Sequence, residues 1–235
     1  MLPQITKMQK YLYKANATAL RGSIRKPYFQ ELGDHLAIST YAGSSGHTVA
    51  TNQKFALFDE IQYDSARTEI IAGEQNGVFT TSLTAQVFGL RIAKLLRADE
   101  VTCRLQSVFD SRSYPQSCLP RISPAGSIIR NLQIDDERLQ VALPPAFSAT
   151  GEVTDEFFRG ERDRDETLQP GAIPEPFYIK NFGTIFYAEW TWVHPQERHQ
   201  QHLTMLRLAL GSDTGAAVCV GLGCSDGIGW PPTTG

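Results

Sequence analysis

Three histidines, His194, His199 and His202, fall within nine residues, with Glu197 among them. Imidazole is the commonest transition-metal ligand, and a hairpin can bring histidines together across its strands. Three imidazoles and a water would make an open Lewis-acid site of the kind that activates water. The competing reading is a polar loop, because Pro195-Gln196-Glu197-Arg198-His199-Gln200-Gln201 is solvated in composition.

Tyr187, Trp190, Trp192 and Trp230 could stack on a sugar or another flat ligand if one face were open to solvent. Their density in the most apolar stretch of the chain favours core packing instead. Four cysteines, Cys103, Cys118, Cys219 and Cys224, permit two disulfides in three pairings. Cys103 alternates with Val101 and Leu105 on one face and reads as a small core residue. Cys219 and Cys224 flank a Gly-containing stretch where a loop disulfide would need an oxidising setting, and two thiols alone do not build a zinc site.

Other arrangements are weaker. Gly43-Ser44-Ser45-Gly46-His47 and Gly221-Leu222-Gly223 lack the Gly-Lys-Ser/Thr ending and the strand–helix context of phosphate loops, and they read as turns. Asp135-Asp136 and Asp59-Glu60 are neighbours, and neighbours in or beside a strand point to opposite faces. No cofactor is indicated.

Charge is uneven although the net charge is only −3. Residues 1–30 hold Lys7, Lys10, Lys14, Arg21, Arg25 and Lys26 and no carboxylate. Residues 147–170 hold Glu152, Asp155, Glu156, Glu161, Asp163, Asp165 and Glu166 against three arginines. Lys7, Lys10 and Lys14 could dock on Asp155, Glu156, Asp163, Asp165 and Glu166 of another copy. The same cations could touch an anionic membrane, but nothing else in the chain signals nucleic acid.

The elements that must position these groups are mainly strands. Phe79, Thr81, Leu83, Ala85 and Val87 alternate with polar residues, as do Val101, Cys103 and Leu105. Further strands are expected over 17–24, 35–40, 55–63, 68–72, 127–134, 139–143, 184–193, 202–210 and 216–221. Residues 89–99 are expected to connect two strands, with one helical turn available at 93–96. Ile5, Met8, Leu12 and Ala15 recur at helical spacing, which predicts a short basic helix over 3–15.

The expected fold is all-β, an antiparallel β-sandwich or barrel of about ten strands. Residues 1–16 form a basic arm, 17–226 a single β domain, 144–181 a long acidic, Pro-rich loop excursion, and 227–235 an irregular tail. No stretch approaches the roughly 20 apolar residues of a membrane-spanning helix. The start of the chain lacks the apolar core of an export signal, which points to the cytoplasm unless the chain is the mature form of a secreted protein.

The run Thr81-Ser82-Leu83-Thr84-Ala85-Gln86-Val87-Phe88-Gly89-Leu90, followed by Arg97-Ala98-Asp99-Glu100-Val101, resembles a motif of uncharacterised bacterial β-rich proteins called choice-of-anchor P. The resemblance spans about thirty of 235 residues. It implies an exported β-rich protein and carries no reaction or ligand, whereas this chain lacks the recognisable signal or anchor of that family. The functional expectation is a non-enzymatic module that binds or self-assembles. The alternatives are a metal-dependent enzyme or small-molecule carrier at the histidine loop, and a carbohydrate-binding surface.

Overall fold

Strand-forming residues joined by tight turns account for nearly all of the regular structure. The computed structural model describes residues 12–24, 30–32, 37–43, 45–57, 60–113, 120–148, 174–180, 182–194, 197–210 and 219–230. Its strands are β1 (Leu12–Ile24), β2 (Gln30–Leu32), β3 (Ile38–Gly43), β4 (Gly46–Leu57), β5 (Ile61–Gln75), β6 (Val78–Ile92) and β7 (Leu96–Asp110). The short strands β8 (Arg121–Ser123), β9 (Ile128–Arg130), β10 (Gln133–Ile134), β11 (Glu137–Arg138) and β12 (Phe177–Ile179) follow. Three long ones close the series: β13 (Gly183–His194), β14 (Glu197–Leu210) and β15 (Cys219–Trp230). Among the described residues the only helices are two three-residue 3-10 turns, Ser111–Ser113 and Pro145–Phe147.

The strands make two antiparallel sheets that do not close into a barrel. A terminal sheet has the order β12-β13-β14-β15-β1-β2, with β3 also on β1. A central sheet has the order β11-β10-β7-β6-β5-β4, with β8 and β9 also on β7. Strands β1, β14 and β15 lie across from β5, β6 and β7. Between them lies one core holding Leu83, Val101 and Leu105 from one side and Ile185, Leu203, Met205 and Leu208 from the other. Cys103 links the layers, its thiol donating to the Leu203 carbonyl at 3.6 Å.

The turns follow from residue type. Asn76 and Gly77 take φ of 53° and 77° between β5 and β6, the left-handed pair of a two-residue hairpin. Asp135 and Asp136 do the same at 49° and 63° between β10 and β11, so this carboxylate pair forms a turn. Ala93 and Lys94, at 51° and 56°, turn β6 into β7 in place of a helical turn. Both flanking strands therefore reach further into 89–99 than alternation suggested.

In a regular strand, alternate residues face the core. Here that phase inverts once in each long strand of the central sheet, along one row. In β6 the inward residues are Thr81, Leu83, Ala85 and Val87, then Leu90 and Ile92. In β5 they are Ile61 and Tyr63, then Ala66, Thr68 and Ile70; in β7 they are Leu96 and Ala98, then Val101, Cys103 and Leu105. The cross-strand ladders skip Lys54, Asp64, Gly89 and Asp99 at this row, where Lys54 and Gly89 have φ of 54° and 64°. The terminal sheet has its own row at Ala19, Gly223, Met205 and Ala188, the last at φ 52°. A left-handed residue turns two consecutive side chains to one side, which lets β6 keep its apolar residues on the core on both sides of Gly89.

Several expectations are corrected. Leu12–Ala15 belong to β1 rather than to a helix; β15 and β3 flank this stretch and supply ladder partners on both sides, which an isolated helical turn cannot match. The remainder of the predicted helix lies outside the described residues. Phe55–Tyr63 is two strands, β4 and β5, with Glu60 in the turn, where its N–H meets the Leu57 carbonyl at 2.9 Å. Within 144–181, the described residues include the turn Pro145–Phe147 and β12, and Phe147 packs edge-on to Trp190 with centroids 6.4 Å apart. Gly227–Trp230 continue β15 instead of forming an irregular tail.

Candidate functional site

All of the 12 residues of β4 except Lys54 pair with β5 along one edge, and among the described residues no strand pairs with the other edge. None of these residues is buried. Among the described residues strand β4 is thus a ledge whose rim meets no strand, partly wetted on both faces. Over 46–53 the sequence Gly-His-Thr-Val-Ala-Thr-Asn-Gln contains no Lys, Arg, Asp, Glu or Pro. Strand edges are normally guarded by charge, proline or a covering segment.

On the outer face of the ledge Val49 is 43% exposed, and Ile71 on β5, opposite His47 in the register, is 49% exposed. Between them sits a small charged group. The His47 ring donates from Nε2 to Glu69 Oε1 at 2.8 Å, and Arg67 Nη2 reaches the same oxygen at 3.1 Å. The hydrogen bond from His47 holds the Glu69 carboxyl below its ordinary range; partial desolvation opposes it and the Arg67 guanidinium assists. Beneath the ledge, Phe55 stacks on Tyr63 at 5.2 Å. Burial pushes the Tyr63 phenol up to about 12, and its hydroxyl finds no hydrogen-bond partner among the described residues.

The opposite edge of the sheet is closed. Strands β10, β9 and β8 meet β7 at 96–97, 100–102 and 106–108. Between β9 and β8 the Ser127 hydroxyl accepts from the Arg104 N–H at 2.8 Å and donates to the Arg104 carbonyl at 3.0 Å. A buried side chain there does the work of a strand residue.

The residues singled out by sequence fall elsewhere. His194 pairs with Glu197 at the tip of the β13–β14 hairpin, and His202 sits opposite Thr191; the side chains of His194 and His199 lie outside the described structure. His202 Nε2 lies 3.2 Å from both Arg21 Nη2 and Thr204 Oγ1, so two polar groups of the chain already engage it. Among the described residues no three His, Cys, Asp or Glu side chains are grouped to hold a metal.

Trp190 is 2% exposed and donates from its indole to Gln201 Oε1 at 2.7 Å. Tyr187 is 6% exposed and stacks on Phe177 at 5.3 Å. Both are core residues, whereas a stacking platform would need them open. Trp192 and Trp230 are placed only by register, opposite Gln201 and Leu12. Lys14 is exposed on β1. Lys7, Lys10, Asp155, Glu156, Asp163, Asp165 and Glu166 lie outside the described residues. Cys219 and Cys224 share one strand, five residues or about 16 Å apart along its rise, beyond the reach of a disulfide.

Sequence reasoning missed His47, Val49, Glu69 and Ile71. The available signal was the alternation of His47, Val49, Thr51 and Gln53 with Thr48, Ala50 and Asn52, free of any charge that guards an edge. Among the described residues no helix is long and apolar enough to cross a membrane.

No curated protein and no solved structure matches this chain. A family described as a domain of unknown function, DUF8256, matches residues 11–170. That match stops before β12, although β13, β14 and β15 complete the terminal sheet on β1, so the folded unit runs past the matched region. With well over half of its length matched, the chain belongs to the DUF8256 family.

Proposed function

We propose that this protein is a non-enzymatic β-sandwich module that works by taking an extended strand onto the open edge of β4. The observation that carries this reading is the rim of Gly46–Thr51, which among the described residues meets a strand on one side only and bears no lysine, arginine, carboxylate or proline. Such a rim offers a row of backbone N–H and C=O groups, and adding a strand gives affinity through the main chain and specificity through alternate side chains. The contrast with β7, whose edge is closed by three strands and a serine, supports a retained opening at β4.

Hydrogen exchange on the full chain tests this. At low concentration the outward amides of Gly46–Gln53 should exchange quickly, and at high concentration or with a strand partner they should slow. If these amides are as protected as those of β5 at every concentration, the rim is already covered within the chain and the reading fails.

A further inference from the structure

We propose that the strand received by β4 is the β4 of a second copy, paired antiparallel about a two-fold axis at Val49. The inference rests on the strand-edge reading above and names its partner. In this register Val49 faces its own copy, Thr48 faces Ala50, His47 faces Thr51 and Gly46 faces Asn52. Registers shifted by one residue would set outer-face side chains against inner-face ones, which the pleat forbids. Centring the axis on Ala50 instead sets Gly46 against Lys54, where the left-handed φ of 54° has already broken the strand.

Three observations favour a like partner. First, residues 46–53 bear no carboxylate, lysine or arginine, so antiparallel self-pairing places no like charges together. Second, the nearest charges on that face are satisfied within each copy, Glu69 by His47 at 2.8 Å and Arg67 at 3.1 Å. Third, Ile71 lies diagonal to Val49 on the same face, so pairing creates one apolar stripe of Ile71, Val49, Val49 and Ile71 across the junction. The two exposed aliphatic residues of the ledge then cover one another.

The test uses the full chain in sedimentation equilibrium, with cysteine cross-linking alongside. Wild type should be a dimer. Val49→Lys places two ammonium groups on the axis and should weaken self-association about tenfold or more, with an unchanged thermal melt. Val49→Cys should cross-link to itself under mild oxidation, whereas Ala50→Cys and wild type should not. If Val49→Lys does not fold, Thr51→Lys, on the same face and opposite His47 of the other copy, should have the same effect.

A dimer indifferent to both lysine variants overturns this junction and places assembly on another surface. A wild-type monomer that binds a synthetic Gly46–Gln53 peptide, and loses it on Thr51→Lys, overturns the second copy but leaves strand addition standing. A monomer that ignores the peptide removes both.

Discussion

Along β7, backbone groups from Leu96 to Val108 meet β10, β9, the Ser127 hydroxyl and β8 in turn. Along β4, at the far side of the same sheet, the outward groups of Gly46–Leu57 meet no strand among the described residues. Both edges are long, and both flank the same core-facing strands. One edge draws on much of the segment 121–134 for its cover, and the other carries over 46–53 no lysine or proline of the kind that commonly discourages pairing. Closing an edge is within the means of this chain, and a rim that meets no strand among the described residues is what the proposed strand addition requires.

The comparison can be broken or sharpened by substitution, and the interior row shared by the two edges sets the largest effect. Gly89→Ala forces a side chain into a left-handed position at φ 64° and against the Asp64 carboxylate. It should cost about 2 kcal/mol or more in urea unfolding. At the closed edge, Ser127→Ala leaves the Arg104 N–H and C=O without their partner. A loss of about 2 kcal/mol is expected, with faster exchange of the Arg104 amide. A loss below the error of the measurement would mean that the serine does not seal that edge.

At the open edge the signs differ. Lys54→Gly relieves a left-handed lysine at φ 54° and should stabilise the fold by about 1 kcal/mol. Below the ledge, the Tyr63 phenol is pushed up to about 12, so the folded state keeps its proton after the unfolded chain has lost it. Stability conferred by the neutral phenol is complete below the unfolded value near 10 and should decline as pH rises from there towards about 12. Tyr63→Phe should abolish that decline and cost little at neutral pH, since the hydroxyl has no partner among the described residues. The smallest effect belongs to Val49→Lys, which should leave unfolding stability within about 0.5 kcal/mol while weakening self-association about tenfold or more.

Alternation made the all-β class legible, and it placed β6, β7, β13 and β14 nearly where they lie. It failed where the pleat phase inverts. Val87-Phe88-Gly89-Leu90 looks like the end of a strand because Val87 and Leu90 cannot both point inward in a regular ladder. The ledge was hidden for a related reason, since Asn52, Gln53 and Lys54 have the composition of a turn and Phe55 restarts the apolar pattern on the opposite parity. Leu12 to Ala15 fit a helical stripe equally well, and only the neighbouring strands β3 and β15 decide between the periods. At Tyr187 and Trp190, for which the sequence leaves core packing and ligand stacking both open, burial in the structure accords with apolar bulk on consecutive positions of a strand covered on both sides.

The pairing of Leu12 with Trp230 and of Ser23 with Cys219 sets an order on how this molecule can be made. The central sheet is a meander whose neighbours leave the ribosome one after another, and it can assemble as it emerges. Strand β1 is synthesised first but gains its long neighbour last. Until β15 arrives, the small, apolar inner surface of β1 has only β2 and β3 beside it. Nascent chains halted anywhere short of β15 should therefore hold a half-built core, exposed to chaperones and proteases, and maturation should be slow in the way that distant strand pairing always is.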